Sequence, residues 1–200
     1  RREPARVGLA QGTRVQGTRV LCEALASLKV KPKVVVCASA IGYYGHREDY
    51  LLSESSSPGE GFLPDVCREW EDAAEPARAA GIRVVSLRIG VVLSKAGGAL
   101  AKMLLPFKLG LGGKIGDGAQ YMSWVSLDDL VSMARFAIDD EGLSGAVNAV
   151  APGAVTNLEF TKALGRSLKR PTIFPLPAFV ARIVLGEMAD DLLLSSIRVE

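Results

Sequence analysis

The sequence predicts an α/β domain built on a mostly parallel sheet, and three observations predict it. Helix-like and strand-like segments alternate along the chain. The run Lys33–Ser39 carries Val-Val-Val, which is too short for a helix and too apolar for a half-exposed strand, as in a buried parallel strand. That run ends in a hydroxyl, Ser39, and breaks into a glycine-rich turn with two tyrosines, Ser-Ala-Ile-Gly-Tyr-Tyr-Gly (39–45). In open α/β sheets, ligands bind in the crevice outside the carboxyl ends of the strands, where a hydroxyl and phenols can hydrogen-bond them.

Each element has its own local reason. Gly12–Val30 sets Val15, Leu21, Ala24, Leu25 and Leu28 at helical spacing. Lys33–Ser39 is the first strand. The segment 46–61 is rich in Ser, Glu, Gly and Pro and reads as a surface loop. A helix starts near Pro64, a residue suited to a first turn, runs through Trp70 and Ala74, and stops at Gly81. Ile82–Arg88 alternates and is β-branched, so it is the next strand, predicted to lie beside the first with both carboxyl tips forming one wall of a cleft. Gly97–Gly110 is an apolar segment of helical period, broken by Pro106, and Gly112–Gly118 is a glycine-rich loop. Ser126-Leu-Asp-Asp129 is an N-cap with an acidic first turn, opening a helix to Ile138. Ala146–Val150 is a short strand. Thr156-Asn-Leu-Glu159 matches a capping box and opens a helix to Leu168. An extended piece at Ile173–Pro175 and two short helices, near Ala178–Leu185 and Glu187–Ser195, complete the chain.

Composition narrows the class. Two hundred residues fit one domain, or one with a small appendage. The apolar fraction of 48% and charged fraction of 23% are those of an ordinary globule. A net charge of +2, with basic residues scattered apart from Arg1, Arg2 and Arg6, points to no nucleic acid and no membrane surface. Cys22, Cys37 and Cys67 are odd in number and widely spaced, which argues against a disulfide framework or zinc site and for reduced thiols in a cytosol-like compartment. No secretory segment and no bilayer-length apolar run is present. The chain begins without Met and ends at Glu200, so it is read as a piece of a longer protein.

Several segments together resemble a known family. They are Ser-Ala-Ile-Gly-Tyr-Tyr-Gly (39–45), Val-Cys-Arg-Glu-Trp-Glu (66–71), Leu-Arg-Ile-Gly-Val-Val-Leu (87–93) and Gly-Gly-Ala-Leu (97–100). The others are Gly-Leu-Gly-Gly-Lys-Ile-Gly-Asp-Gly-Ala-Gln (110–120), Asn-Ala-Val-Ala-Pro (148–152) and Leu-Gly-Glu-Met-Ala (185–189). In this order they resemble the atypical, extended short-chain dehydrogenase/reductases, and more narrowly the epimerase-family proteins once named as cell-division inhibitors. The resemblance implies a Rossmann-type doubly wound sheet without its N-terminal half (1–155, with a substrate-side loop at 94–125). A small, mainly helical lobe would follow at 156–200, with a short tail beyond Glu200. It also implies a bound NAD(P), with NADPH favoured over NADH by family analogy.

Two departures from the family pattern qualify that expectation. The pyrophosphate-binding glycine turn is absent; Gly8–Gly17 is no substitute, because no strand precedes it. These residues alone are therefore expected to bind a dinucleotide poorly. The family's Tyr-x-x-x-Lys, whose tyrosine is a general acid/base beside a lysine, falls on Leu63 and Cys67, and neither residue can replace its partner in that pair.

The resemblance assigns candidate site residues, and each has a plainer reading. Ser39 aligns with the catalytic hydroxyl that meets the reacting oxygen, or it caps local backbone. Tyr43, with Tyr44, can supply the absent phenol, or simply pack over the core. Ala38, Ser39, Arg88, Ile89, Gly90 and Val91 align with backbone under the nicotinamide, where Gly90 would admit a ring; otherwise they only pack. Lys114, Gln120 and Trp124 fall on the substrate side, or on a solvent loop followed by a buried tryptophan. His46 reads as an exposed loop residue and Glu54 and Glu71 as solvated or helix-surface carboxylates, with a buried role the alternative for Glu71 directly after Trp70; no metal site is expected.

The function implied is an NAD(P)(H)-binding epimerase or oxidoreductase acting on a nucleotide sugar or a similar small carbonyl or hydroxyl substrate, in the cytoplasm or, in a plant, the plastid stroma. The alternative is a catalytically inactive cofactor sensor or scaffold, linked by family naming to cell or plastid division.

Overall fold

The computed structural model describes residues 12–179 and 190–200. Its centre is a three-stranded parallel sheet of β1 (Val34–Ala40), β3 (Arg83–Ile89) and β7 (Gly145–Ala149), in the order β1-β3-β7. The valine-rich strand and the Ile82 strand do lie side by side, with Val36 opposite Val85, Ser39 opposite Arg88 and Ala40 opposite Ile89. Their carboxyl tips point the same way, and Arg88 and Ile89 are flanked in turn by Asn148 and Ala149 of β7.

Alternation along β3 sends side chains into two cores. On one face Ile82 and Val84 pack with Cys22, Ala74 and Ala77, beside Val35 and Cys37. These partners come from α1 (Gly17–Ala26), from the turn after α2 (Phe62–Asp72) and from α3 (Glu75–Ala79). On the other face Val85 and Leu87 meet Ala137 of α5 (Leu127–Asp139) and Ala149, with Val34, Val36 and Met133 alongside. Helices thus cover both faces of a parallel sheet, the Rossmann-like α/β arrangement.

Smaller strands surround the tips of this sheet. After Gly90 the chain enters β4 (Val91–Leu93), then α4 (Gly98–Lys108), and returns through β5 (Tyr121–Met122) and β6 (Trp124–Ser126). β4 pairs in parallel with β6. β5 pairs antiparallel with β8 (Val155–Thr156), which leads into α6 (Asn157–Leu168). β2 (Leu51–Leu52) pairs with β9 (Arg198–Val199) near the end of the chain. The helix starts follow their predicted caps. Ser126 Oγ accepts the Asp129 N–H, and Thr156 and Glu159 form a reciprocal capping box.

Several expectations are corrected. β1 is half-buried rather than fully buried, because among the described residues it pairs only with β3. The helix expected over 12–30 is a π-helical turn, Gly12–Gln16, followed by an α-helix that ends at Ala26, where Ser27 bonds back to Ala24 O. The helix expected from Pro64 to Gly81 breaks into α2 and α3, since Pro76 has no N–H to continue the ladder and opens a new helix instead. Pro106 does not break α4 but lies inside it, and the helix ends two residues later. The loop 46–61 contains β2, and Ile173–Pro175 forms no strand, although Leu176 bridges Ile115. The helix expected near 178–185 falls largely outside the described residues; of the next, the described part is a π-helical turn, Asp190–Leu194.

The glycine at 59 is required by a close approach. A Cβ built there would meet the Tyr44 carbonyl, whose carbon lies 2.7 Å away, while Gly59 N–H donates to Tyr43 O at 2.9 Å. Gly59→Ala should therefore destabilise the fold by about 1–3 kcal/mol. Gly97→Ala, which meets nothing within 4 Å, should be near neutral. Urea unfolding of both variants tests the contrast.

Candidate functional site

The register of the sheet assembles a polar cluster at the strand tips. Ser39, Arg88 and Asn148 are cross-strand partners, so their side chains leave the sheet on one face, the face that carries α2. Glu71, in the last turn of α2, completes the cluster. Arg88 Nε donates to Glu71 Oε1 and Arg88 Nη2 to Glu71 Oε2, both at 2.9 Å, a bidentate pair. Ser39 Oγ donates to Glu71 Oε1 at 2.7 Å. Arg88 Nη1 donates to Tyr44 Oη at 3.0 Å, and Tyr44 Oη to Asn148 Oδ1 at 2.7 Å. The Asn148 N–H donates to Glu54 Oε1 at 2.8 Å.

Burial gives this cluster its energetic weight. The Arg88 and Glu71 side chains are 4% and 12% exposed. Burial opposes the Arg88 charge, but the hydrogen bonds to Glu71 and Tyr44 and the Glu71 charge outweigh it and raise the guanidinium pKa. Burial likewise raises the Tyr44 phenol, against the pull of Arg88. The guanidinium carbon also sits 3.4 Å from the centre of the Tyr43 ring, which meets Tyr44 edge-on.

Above this cluster lies a cavity of about 500 Å³. Ala38, Ser39, Ile89, Gly90 and Val91 line it, as the sequence candidates suggest. Leu63 and Cys67 line it too, one turn apart on α2. Leu63 and Cys67 therefore face the same space as Ser39. Burial, reinforced by the Glu71 charge, pushes the Cys67 thiol up to about 11, so it stays protonated near neutral pH. Among the described residues Arg14 is the only cation in the lining, and it stands over the Trp70 ring.

The other candidates fall elsewhere. Arg88 lies behind the wall, held by Glu71, and Tyr43 lies under Arg88; neither lines the cavity. Lys114 Nζ donates to Asp117 O, while its neighbour Ile115 faces the cavity. Gln120 is buried, with its amide donating to Ile115 O and Leu193 O, so it ties the glycine loop to the segment 190–194. Trp124 sits in β6 opposite Val91. A Cβ on Gly90 would meet Ser123 O at 2.8 Å, so the glycine admits a crossing backbone.

Glu71 corrects the reading of a solvated carboxylate: its position is buried because α2 lies against the strand tips. Trp70, Met103, Met122, Asn157 and Ile197 also line the cavity without having been singled out. For Trp70 the signal was its place between a helix of apolar period and Glu71. For the other four, which come from four different segments, no local pattern existed. His46 is exposed, as expected, and accepts the Ser196 N–H at Nδ1.

Removing one partner of the buried pair leaves the other uncompensated. Glu71→Ala or Arg88→Ala should cost about 3–5 kcal/mol, whereas Glu71→Leu combined with Arg88→Met should recover much of that loss. Calorimetric or urea unfolding measures both.

No protein-family model matches the chain. It is 48% identical over 182 residues to the epimerase family protein Mb2239 of Mycobacterium bovis, an alignment covering 91% of this chain and 60% of that one. The crystal structure of human epimerase family protein SDR39U1 with NADPH superposes with a TM-score of 0.90 at 36% identity, covering 94% of this chain and 64% of that one. A nucleoside-diphosphate sugar epimerase from Corynebacterium glutamicum superposes at 0.74, also 36% identical, covering 94% and 43%. The chain spans about three-fifths of the curated relatives it matches. Over that span it is a homologue of the epimerase family proteins, with the fold of an atypical extended short-chain dehydrogenase/reductase.

Proposed function

We propose that this chain contributes the nicotinamide and substrate side of an NAD(P)(H)-dependent epimerase or oxidoreductase. The observation that carries the reading is the cavity at the parallel strand tips, where Ser39, Gly90 and the vacated Leu63–Cys67 pair face one another. The lining chemistry fits one end of a dinucleotide. Among the described residues its walls are largely apolar and, apart from Arg14, uncharged, which suits a flat amide-bearing ring and not a pyrophosphate. A bound dinucleotide would accept or deliver hydride. Ala38, Ser39 and Ile89–Val91 would form the wall under its ring, Ser39 would meet the reacting oxygen, and Trp70 and Met103 would help to exclude water. NADPH is the form found in the human relative, and its use here is part of the proposal. A nucleotide sugar, or a similar small carbonyl or hydroxyl compound, is the proposed substrate class, in keeping with the sugar-epimerase relative. Tyr43 as proton donor and Lys114, Gln120 and Trp124 as substrate contacts remain part of this proposal; each would need to turn from its present partner toward the cavity.

A second reading has its own support. Leu63 and Cys67 cannot perform the family's proton transfer, which favours a cofactor-binding protein without turnover. NADPH separates the readings. Titrated against the full-length protein, which supplies the pyrophosphate turn these residues lack, it should quench Trp70 fluorescence and, at one hundred times Kd, stabilise the fold by about 2.7 kcal/mol. No shift with NADPH or NADH rejects both. If binding is seen, Ser39→Ala should abolish turnover under the enzyme reading and leave binding unchanged under the other.

A further inference from the structure

The direction of one hydrogen bond restricts what the cavity can recognise. Glu71 receives two N–H bonds from Arg88, on its two oxygens, and so stands as a carboxylate, which only accepts. The Ser39 hydroxyl has one proton, and the 2.7 Å contact to Glu71 Oε1 consumes it. What Ser39 can offer the cavity is oxygen lone pairs. A ligand oxygen that only accepts, such as a carbonyl, finds no donor in the Ser39 hydroxyl; a ligand hydroxyl finds an acceptor in it.

Two other polar side chains of the lining are already engaged. Ser123 Oγ donates to Ile197 O and accepts from Val199 N–H. The Asn157 amide is held by Ile115 N–H and the Met122 sulfur. The apolar part of the same lining includes Ala40, Ile41, Leu63, Val66 and Met103.

We propose that Glu71, clamped by Arg88, acts as a positioning residue that fixes Ser39 as a hydrogen-bond acceptor, so that the site selects the hydroxyl member of an alcohol–carbonyl pair carried on an apolar body. This rests on the reading of the cavity as a substrate site, and it concerns ground-state recognition alone. It also gives a direction: the compound that binds well is the one poised to lose hydride.

Cyclohexanol and cyclohexanone are matched probes for the 200-residue protein. Binding is followed by NMR of ¹³C-methyl methionine, since Met103 and Met122 line the cavity. The alcohol should bind about threefold to tenfold more tightly, the worth of one net hydrogen bond. Ser39→Ala should reduce that ratio to what hydrophobicity alone gives. Glu71→Leu combined with Arg88→Met removes the acceptor, releases the serine proton to the cavity, and should shift the preference toward the ketone. If that double variant does not fold, the wild type and Ser39→Ala decide. Equal binding of the two probes, a ratio unchanged by Ser39→Ala, a folded double variant that keeps the preference, or no binding of either probe overturns the proposal. An alcohol preference without any NADPH response of the full-length protein sinks the dinucleotide reading alone; an NADPH response without the preference sinks only this one.

Discussion

A charge buried at the middle of the sheet constrains everything around it. Arg88 is on the central strand, and nothing but a carboxylate in good geometry makes its burial tolerable. That requirement fixes where the last turn of α2 must lie, since Glu71 has to reach both guanidinium nitrogens. With Glu71 placed, Ser39 and Tyr44 find their partners, and the loop carrying Glu54 is drawn to the tip of β7. The pair gains specificity more clearly than stability, because an apolar pair of matching volume could fill the same space.

The cavity is a consequence of this arrangement. α2 is held over the strand tips by its polar end, while its apolar face, with Leu63, Val66 and Cys67, looks into the space left between α2 and β4. Leu63 and Cys67, one turn apart on α2, are thus turned toward the space that Ser39 also lines.

The fold was legible where its signals are local. The valine run, the alternation of Ile82–Arg88 and the caps at Ser126 and Thr156 are short-range patterns, and each marks a real element. Strands of two or three residues, such as Tyr121–Met122 and Arg198–Val199, were not legible, because pairing across the chain rather than propensity creates them. In the site, Ser39 was visible at a strand end before a glycine turn. Glu71 was not, since its burial follows from the register of Arg88, 17 residues away, and a Glu after Trp on an amphipathic helix looks solvated from sequence alone. Gln120 shows the reverse: a polar residue in a glycine-rich loop suggests ligand contact, yet tertiary packing uses its amide as an internal strut.

Ser123 is fully buried and joins Ile197 O to Val199 N–H, and Ile197 is part of the cavity wall. One wall of the pocket is therefore supplied by residues that leave the ribosome well after the sheet and α2. During synthesis the sheet and α2 can dock first, leaving an unsealed apolar hollow. Only when β9 slots beside β2 does that hollow gain its final side, so a nascent chain stalled before this point would hold a formed sheet and an unfinished receptor.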